Sequence, residues 1–415
     1  MNTNASCKQN EGLDRVPPLK FGVNYIPSKR WLHFWIDFDA ESVRQDLLAI
    51  KALGFDHIRA HLLWHYFQIN PRQMSQTAMR NLGGFTALCE EVGLDFCLSL
   101  FTGFMSGFSF FPAFLNAHRE LAMFSGKAER EAERFYIEQI ASVVASSPRF
   151  MGFDLGNELS CVTKFDKGAT VETCDAWQTE MLACCESVAP GKLHNNGVDH
   201  QPWFYERAFS RKTLANTGAI TPLHCWTRFT EAMDHGGLLG TASLHIAEYM
   251  AELVKAYSDD PARKIWIQEF GCSKLWVQHD GESIEEFVKG TFRVFEDMEN
   301  LWGVTWWCSH DISEQFVGYH PLEYDLGLLD CNNNPKPYAH LISDIIREHK
   351  SRTRTAKRRT QATVYHAAPS DKESFAPAAA FMHAIDSGIH PAIVLSEQAN
   401  DSEYLAKRGI ETLLP

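Results

Sequence analysis

Two glutamates, Glu158 and Glu269, each follow an apolar run with the composition of a buried strand. The first ends "FMGFDLGNE" and the second ends "KIWIQE". Hydrolysis of a glycosidic bond needs two carboxyl groups in one cleft. One protonates the departing oxygen, and the other attacks the anomeric carbon or activates water. One such glutamate alone is most often a solvated surface group, so the argument rests on the pair.

The neighbours of the two glutamates suggest different roles. Arg59 is predicted to end the second strand, and a permanent cation beside Glu269 would keep that carboxylate ionised and nucleophilic. Glu158, partly desolvated and close to another negative charge, would hold its proton to higher pH and act as the acid. Asn157, immediately before it, can hydrogen-bond a sugar hydroxyl next to the reacting carbon.

Aromatic and polar side chains near other predicted strand ends favour a sugar ligand, because the C–H face of a sugar stacks on an indole. Trp306 and Trp307 end the eighth run, and in a strand only one of two consecutive side chains can face the barrel interior. Each remaining candidate alone fits core packing as well as it fits ligand contact. These substrate-binding candidates are Asn24, Asp199, His200, Trp203, His224, Trp226, His310 and Asp311.

These residues must be positioned by repeated βα units, because short apolar runs alternate with stretches of helical period from about Phe21 to about Ile345. Eight runs predict a (β/α)8 barrel, whose functional residues lie at the carboxyl ends of its strands. The predicted strands are "LKFGVNY", "HIRAHLLW", "DFCLSLF", "FMGFDLGNE", "KLHNNGV", "ITPLHCW", "KIWIQEF" and "LWGVTWW".

The intervening segments have helix boundaries. Asp39 is predicted to cap one helix and Gly54 to end it, and "SIEEFVKGTFRVFEDMEN" carries one apolar stripe. We expect four parts in the chain: an N-terminal segment 1–18, the barrel 19–346, a basic solvated linker 347–362 and a small C-terminal α/β segment 363–415 docked on the barrel.

Composition excludes several classes of partner. The net charge is -13, from 39 basic and 52 acidic side chains, which argues against nucleic acid and anionic membranes. No secretory signal or membrane-spanning run is visible. The 11 cysteines have no repeated C-x-x-C spacing, which favours reduced thiols in the cytoplasm. Both a monomer and a homo-oligomer remain open.

Other chemistries leave weaker traces. The sequence lacks a G-x-S-x-G elbow, a phosphate-binding loop and an H-E-x-x-H motif. His57 and His61 share one face of a strand but lack further convergent ligands, so we expect no catalytic metal and no cofactor. No predicted strand ends in Lys, which argues against a Schiff-base aldolase.

The chain resembles the retaining glycoside hydrolases of family 5 at several motifs. These are "LGNE", "QEFG", the second-strand Arg, the His of "LHCW" and the eighth-strand Trp. The stretches "FGVNYIPSKRWLHFWIDFD", "IRAHLLWHYFQINP" and "LHNNGVDHQPWF" resemble its subfamily 18, over nearly the whole chain. That resemblance implies an exo-acting β-mannosidase that cleaves the Man-β-1,4-GlcNAc linkage of the N-glycan core inside bacterial cells.

The resemblance implies that Glu158 is the acid/base and Glu269 the nucleophile, with sugar contacts from Asn157, His224 and Trp307. Two departures concern the subsites. The broader family has Tyr where this chain has Trp226, and its third-strand His is absent from "DFCLSLFTG". We therefore expect a cytoplasmic retaining β-mannosidase acting on a small mannose-containing oligosaccharide. The alternatives are an endo-β-mannanase, a β-glucosidase or endoglucanase on the same scaffold, and a sugar-binding barrel without catalysis.

Overall fold

A computed structural model describes residues 13–115, 121–205, 208–367 and 375–414. Residues 1–12 of the predicted N-terminal segment therefore lie outside the described residues. Seven parallel strands form one curled sheet in the order β10-β11-β12-β2-β3-β6-β9. They are β2 (Lys20–Tyr25), β3 (His57–Leu63), β6 (Asp95–Thr102), β9 (Phe150–Asp154), β10 (Thr221–His224), β11 (Ile265–Phe270) and β12 (Leu301–Trp306).

The predicted fifth strand, residues 192–198, is the exception among the eight. It makes only a single parallel bridge, between Asn195 and Asp154, although Ala219, which leads into β10, also donates to His194 O. Leu193 N and Asn195 N donate to carbonyls of β9. Beyond Asn195 the segment turns, because the Asn196 side chain accepts from Val198 N and Gly197 has a positive φ of 63°. A Cβ at Gly197 would lie 1.9 Å from Asp154 Oδ1, so this close approach requires glycine. The segment still closes the (β/α)8 barrel between β9 and β10.

Helices connect the barrel strands and cover the sheet. Asp39 caps the first long helix by accepting from Glu41 N and Ser42 N, and Gly54 follows its end with a φ of 92°. Both predicted boundaries are confirmed. The helices are α1 (Ala40–Ala52), α2 (Trp64–Phe67), α3 (Gln76–Val92), α4 (Lys127–Val144), α5 (Leu159–Thr163), α6 (Val171–Val188), α7 (Gln201–Phe204), α8 (Arg211–Asn216), α9 (Thr241–Tyr257), α10 (Ile284–Glu296), α11 (Pro337–Lys350), α12 (Ala376–Asp386) and α13 (Ser402–Lys407).

The remaining strands form small sheets outside the barrel. Three of them build the C-terminal sheet in the order β15-β14-β16. This segment docks on α9, where Thr241 donates to Asp386 and Tyr404 donates to Ala256 O. These strands are β1 (Leu13–Arg15), β4 (Gln68–Asn70), β5 (Gln73–Met74), β7 (Phe104–Met105), β8 (Phe108–Ser109), β13 (Thr355–Lys357), β14 (Gln361–Tyr365), β15 (Ala392–Leu395) and β16 (Thr412–Leu413).

The basic stretch 347–362 is more ordered than the solvated linker predicted from its composition. It begins in α11, pairs antiparallel with β1 through β13, and enters β14. Arg354 is buried and donates to several backbone carbonyls, and buried Arg359 contacts Glu248 and Glu252. The prediction of a solvated segment was wrong for these two arginines. Their guanidinium groups bond to buried protein acceptors and not to water, and composition alone does not show such acceptors. None of the described helices is long and apolar enough to cross a membrane.

Candidate active site

Glu158 and Glu269 meet in one cleft at the carboxyl end of the barrel. Glu269 lies near the end of β11, and Glu158 lies four residues beyond β9. One carboxylate oxygen of each and a ring nitrogen of His224 all lie within 4.8 Å of one another. The convergence predicted from two strand ends is therefore present in the fold.

A buried arginine holds Glu269. Arg59 Nη1 lies 2.6 Å from Glu269 Oε1, and the same guanidinium contacts Asp154 Oδ2 at 2.6 Å through Nη2. Asn24 and Asn157 accept from it at 3.1 Å each. Arg59 occupies the third position of β3 and is fully buried, so it acts from inside the barrel and not from the predicted strand end. Burial raises the pKa of Glu269, and His224 and Arg59 oppose that rise.

Glu158 has a different environment. Its backbone is left-handed, with φ 50° and ψ 56°, at the start of the short helix α5, a conformation that is uncommon for residues other than glycine. This turn directs the carboxyl into the cleft, where its side chain is 21% exposed. Burial raises the pKa of Glu158 to about 7, with Arg59 opposing. Its hydrogen-bond partner is His224 Nδ1 at 3.3 Å.

His224 lies between the two carboxyl groups, and the hydrogen bonds behind it define its orientation. Gln268 Nε2 donates to Asn195 Oδ1 at 3.1 Å, so Gln268 Oε1 is left to accept from His224 Nε2 at 3.2 Å. The other ring nitrogen, Nδ1, then faces Glu158 and Glu269. Burial lowers the pKa of His224, which favours the neutral imidazole with its proton on Nε2.

Trp226 takes the place at which the broader family has Tyr. Its indole Nε1 donates to Glu269 Oε2 at 3.2 Å, and its ring contacts Phe229 and Trp276 edge-on. An indole therefore supplies the donor that a phenol would otherwise supply.

The cleft has a volume of about 200 Å³. Of the predicted contacts, Asn157, Trp226 and Trp307 line it with the two glutamates. The remaining lining comes largely from the loops after β6, β10 and β12: Phe104, Met105, Ser106, Gly107, Phe229, Leu322, Glu323 and Leu326.

Trp306 and Trp307 point in opposite directions, as strand alternation predicts. Trp306 is buried against Phe270 and Tyr338 and donates to Leu326 O. Trp307 lines the cleft. Of these two tryptophans, Trp307 is therefore the one available as a platform for a sugar ring.

Three predicted substrate contacts lie away from the cleft, and each is satisfied by protein groups. Asn24 donates to Gln268 O and accepts from Arg59, so it supports the arginine. His310 bonds to Ile26 O and to Asn333. Asp311 accepts from Gly327 N and from Lys336.

Asp199 is buried and His200 is partly buried, and neither residue lines the cleft. Asp199 Oδ1 accepts from Gln201 N at 2.7 Å. Burial and the charge of Glu158 raise the pKa of Asp199 to about 7. Burial lowers the pKa of His200 to about 4. Asp199 therefore interacts electrostatically with Glu158, whereas His200 is neutral near pH 7.

The sequence reasoning missed Glu323 and Ser106, which line the cleft and bond to each other at 3.0 Å. Burial raises the pKa of Glu323 to about 7, Ser106 opposes the rise, and Glu158 and Glu269 add to it. Both residues belong to loops, so no strand-end signal identified them. Glu323 begins the stretch "EYDLGLLD", and its acidic side chain after the eighth predicted strand was the available signal.

Glu158, His224 and Glu269 could in geometric terms offer three ligand atoms to a metal ion. The donor set fits poorly, because the guanidinium of Arg59 already neutralises Glu269 at 2.6 Å. A cation there would also meet the positive charge of Arg59.

No family model and no curated protein matches this chain, but solved structures do. A glycoside hydrolase of family 5, subfamily 18 from Streptomyces cattleya, a variant in complex with Manβ1-4GlcNAc, has 33% identity and a TM-score of 0.89, covering 95% of this chain and 98% of its own. This chain belongs to glycoside hydrolase family 5, subfamily 18. A subfamily 18 structure from Bifidobacterium longum subsp. longum, also with Manβ1-4GlcNAc, has 30% identity and a TM-score of 0.87, covering 95% of both chains.

A more distant structure supports the barrel alone. The exo-β-1,4-mannosidase Op5Man5 from an Opitutaceae bacterium has 20% identity and a TM-score of 0.77, covering 98% of this chain and 74% of its own. As a subfamily 18 member, the chain is a glycoside hydrolase. The resemblance found in "LGNE" and "QEFG" is confirmed at the level of the family.

Proposed function

We propose that this protein is a retaining, exo-acting β-mannosidase that hydrolyses Man-β-1,4-GlcNAc by double displacement. The observation that carries the proposal is that a carboxylate oxygen of Glu158 lies within 4.8 Å of a carboxylate oxygen of Glu269. Retaining glycosidases hold their two carboxyl groups about 5 Å apart, whereas inverting enzymes hold them roughly 6.5–9.5 Å apart to admit a water.

Glu269 is the nucleophile in this mechanism. Its direct contact with Arg59 and the indole N–H of Trp226 stabilise its ionised form. The carboxylate forms a bond to the anomeric carbon while the glycosidic C–O bond breaks. The result is a covalent glycosyl-enzyme.

Glu158 is the acid and then the base. With a pKa of about 7, it holds a proton near neutral pH and gives it to the departing oxygen. Esterified Glu269 then carries no charge, which lowers the pKa of Glu158. Its carboxylate takes a proton from water, the water oxygen bonds to the anomeric carbon, and Glu269 leaves as a carboxylate.

The substrate part of the proposal rests on the subfamily 18 structures crystallised with Manβ1-4GlcNAc. Trp307 forms the platform for the mannose, and Asn157 is placed to bond the hydroxyl beside the anomeric carbon. We place the reaction in the cytoplasm, on a short imported N-glycan fragment. The ten cysteines of the described residues are all unpaired, as expected in a reducing compartment.

Product analysis tests this proposal. The purified protein is incubated with Man-β-1,4-GlcNAc and, in parallel, with a reduced linear β-1,4-manno-oligosaccharide and cellobiose. We expect mannose from the first substrate, with the β-anomer as the initial product by NMR. Internal cleavage of the oligosaccharide or glucose from cellobiose would contradict the substrate. Initial release of the α-anomer would contradict retention, and a lack of all cleavage would favour a sugar-binding barrel.

A further inference from the structure

A buried carboxylate on α1 contacts the loops that follow β2 and β12. The carboxylate belongs to Asp46, which is fully buried. Its Oδ2 accepts from the hydroxyl of Tyr25 and from Ser28 N at 3.0 Å each, and its Oδ1 accepts from Asn333 Nδ2 at 3.2 Å. Because all three partners donate to it, these hydrogen bonds favour the ionised form of Asp46.

The negative charge of Asp46 has one neighbour that can balance it. Among the described residues, no lysine or arginine forms an ion pair with Asp46, whereas His310 Nε2 lies 3.7 Å from Asp46 Oδ1. Both side chains are 0% exposed. A buried charge without a partner of opposite sign is strongly destabilising, so a positive charge is needed at His310.

Both ring nitrogens of His310 face hydrogen-bond acceptors. Asn333 gives its amide N–H to Asp46, so its Oδ1 is the atom that meets His310 Nε2 at 2.8 Å. On the other side of the ring, Nδ1 lies 3.0 Å from Ile26 O. The Ser309 hydroxyl donates to the same carbonyl at 3.1 Å, so its proton is not directed at Nδ1. An imidazole donates from both nitrogens only when it is protonated.

The other ionisable groups around the pair are compatible with a cation at His310. Burial and the charge of Asp46 raise the pKa of Tyr25, so this phenol is neutral near pH 7. Asp330, in the next turn of the chain, adds a second negative charge that interacts with His310. Lys29 donates to acceptors of another loop and not to Asp46.

His310 lies three residues beyond Trp307, which lines the cleft. The segment between them is attached to the end of β2, because Ser309 N donates to Asn24 O at 2.9 Å and Ser309 Oγ accepts from Ile26 N at 2.9 Å. The imidazole of His310 extends this attachment from β2 to α1. The position of Trp307 in the cleft therefore depends on a contact made outside the cleft.

We propose that His310 is an imidazolium at neutral pH and that its pair with Asp46, bridged by Asn333, positions Trp307 in the cleft. His310 acts through Trp307 and touches no substrate, so it is a positioning residue. Loss of its charge releases the segment 308–311 from α1 and lets the indole of Trp307 shift. The kinetic part of this inference rests on the proposed β-mannosidase function, whereas the charge of His310 does not depend on it.

Nitrogen-15 NMR of the full-length protein with labelled histidine tests the charge. The His310 signals are identified by their absence from His310→Gln. At about pH 7.5, where a free histidine is mostly neutral, we expect protons on both nitrogens of His310. In Asp46→Asn the same imidazole should carry a single proton. A singly protonated His310 in the parent protein at this pH would overturn the proposal.

Kinetics with 4-nitrophenyl β-D-mannoside test the positioning role. Asp46→Asn should lower kcat/KM by about tenfold, because a small displacement of a group that orients the substrate is costly. In a Trp307→Ala background the same substitution should cost less than about twofold, since the platform is already absent. Equal losses in the two backgrounds would show that Asp46 and His310 do not act through Trp307.

Asn333→Gly is a second variant that removes the bridge and preserves the turn. Asn333 has a φ of 64°, which glycine adopts readily, so this variant should fold. Its kcat/KM should fall by about threefold or more, and again by less than about twofold when Trp307 is alanine. Full activity of a folded Asn333→Gly would contradict the bridging role.

The controls are substitutions of the same types at exposed positions of α11. Asp344→Asn, 66% exposed, and His340→Gln, also exposed, should leave kcat/KM unchanged. A parent protein that does not hydrolyse the mannoside would overturn the proposed function and with it the positioning role, whereas the NMR result would still decide the charge of His310. Melting temperatures establish that each variant is folded.

Discussion

The indole Nε1 of Trp226 donates to Glu269 Oε2 at 3.2 Å, while Arg59 donates to the other oxygen of the same carboxylate at 2.6 Å. Both oxygens of Glu269 are therefore oriented by separate donors. A carboxylate held in this way keeps its direction toward the cleft without reorganising during the reaction.

Replacing Trp226 by Phe removes the indole donor and keeps an aromatic ring against Phe229. A hydrogen bond to a charged group contributes about 1.5–3 kcal/mol, so kcat/KM should fall by roughly 10–100-fold. Steady-state kinetics with an aryl β-mannoside measure this loss. Trp276→Phe changes the same aromatic cluster without touching Glu269 and should cost less than about threefold. Equal losses of kcat/KM in the two variants would show that aromatic packing, and not the N–H donor, accounts for the loss.

The pH profile of kcat/KM should have an alkaline limb set by Glu158. Its proton is required for departure of the leaving group and is lost as pH rises through its pKa of about 7, so the rate falls above that pH. In Glu158→Gln, assayed with a 2,4-dinitrophenyl mannoside that needs no acid, this limb should disappear. An alkaline limb that persists in the variant would assign the titration to another group, of which Asp199 and Glu323 are the nearest candidates.

Glu269→Ala should lower kcat by at least about a thousandfold, as loss of a covalent nucleophile does. The fold should survive, because Arg59 keeps Asp154 as a partner. Glu286→Ala, at an exposed position of α10, should retain full activity. A slow-turnover substrate, 2-deoxy-2-fluoro-β-mannosyl fluoride, should label Glu269 in peptide mapping by mass spectrometry, and a label on Glu158 would reverse the two roles.

Gln268→Leu should disturb the orientation of His224, because Gln268 Oε1 accepts from His224 Nε2. Without that acceptor the imidazole is free to place its proton on Nδ1, toward the carboxyl groups. We expect kcat/KM to fall by about tenfold or more, and nitrogen-15 NMR of the imidazole to report the changed tautomer. Gln268→Glu retains an acceptor and should recover part of the activity with the original tautomer. An unchanged NMR signal in Gln268→Leu would contradict this positioning role.

Arg354→Ala should lower the free energy of unfolding by about 3 kcal/mol or more, because it leaves several buried carbonyls without a donor. Among them are Pro17 O, Leu301 O and Phe295 O. Denaturant unfolding measures the change. Arg347→Ala, 75% exposed, should change stability by less than about 0.5 kcal/mol. A small effect of Arg354→Ala would show that water replaces the guanidinium.

The sequence predicted the barrel and the meeting of Glu158 with Glu269 because both depend on local signals. Apolar runs of strand length and polar residues at their ends are visible without tertiary information. Arg59, by contrast, was placed at a strand end, although it lies within β3. From this position inside the barrel, the long side chain of Arg59 still contacts Glu269. The pattern of apolar runs does not describe contacts inside the barrel.

The errors have a common cause. A polar side chain near a strand end can either face the cleft or bond to other protein groups. Asn24, His310 and Asp311 were assigned to substrate, yet each bonds to protein groups. The reverse error concerns Glu323, which faces the cleft from a loop. Whether such a residue contacts protein groups or the cleft depends on partners that are distant in the chain. The type of the residue does not show which partners it will have.

In the main sheet β2 lies between β3 and β12, and Lys20 pairs with Gly303, so the barrel cannot close until its last strand has left the ribosome. At about 5–20 residues per second, one edge of β2 waits roughly 15–60 s for its partner. During that interval an unpaired, apolar strand edge is available to other chains. The open edge of the first barrel strand therefore stays unpaired for longer the more slowly the chain is made, long before any sugar is bound.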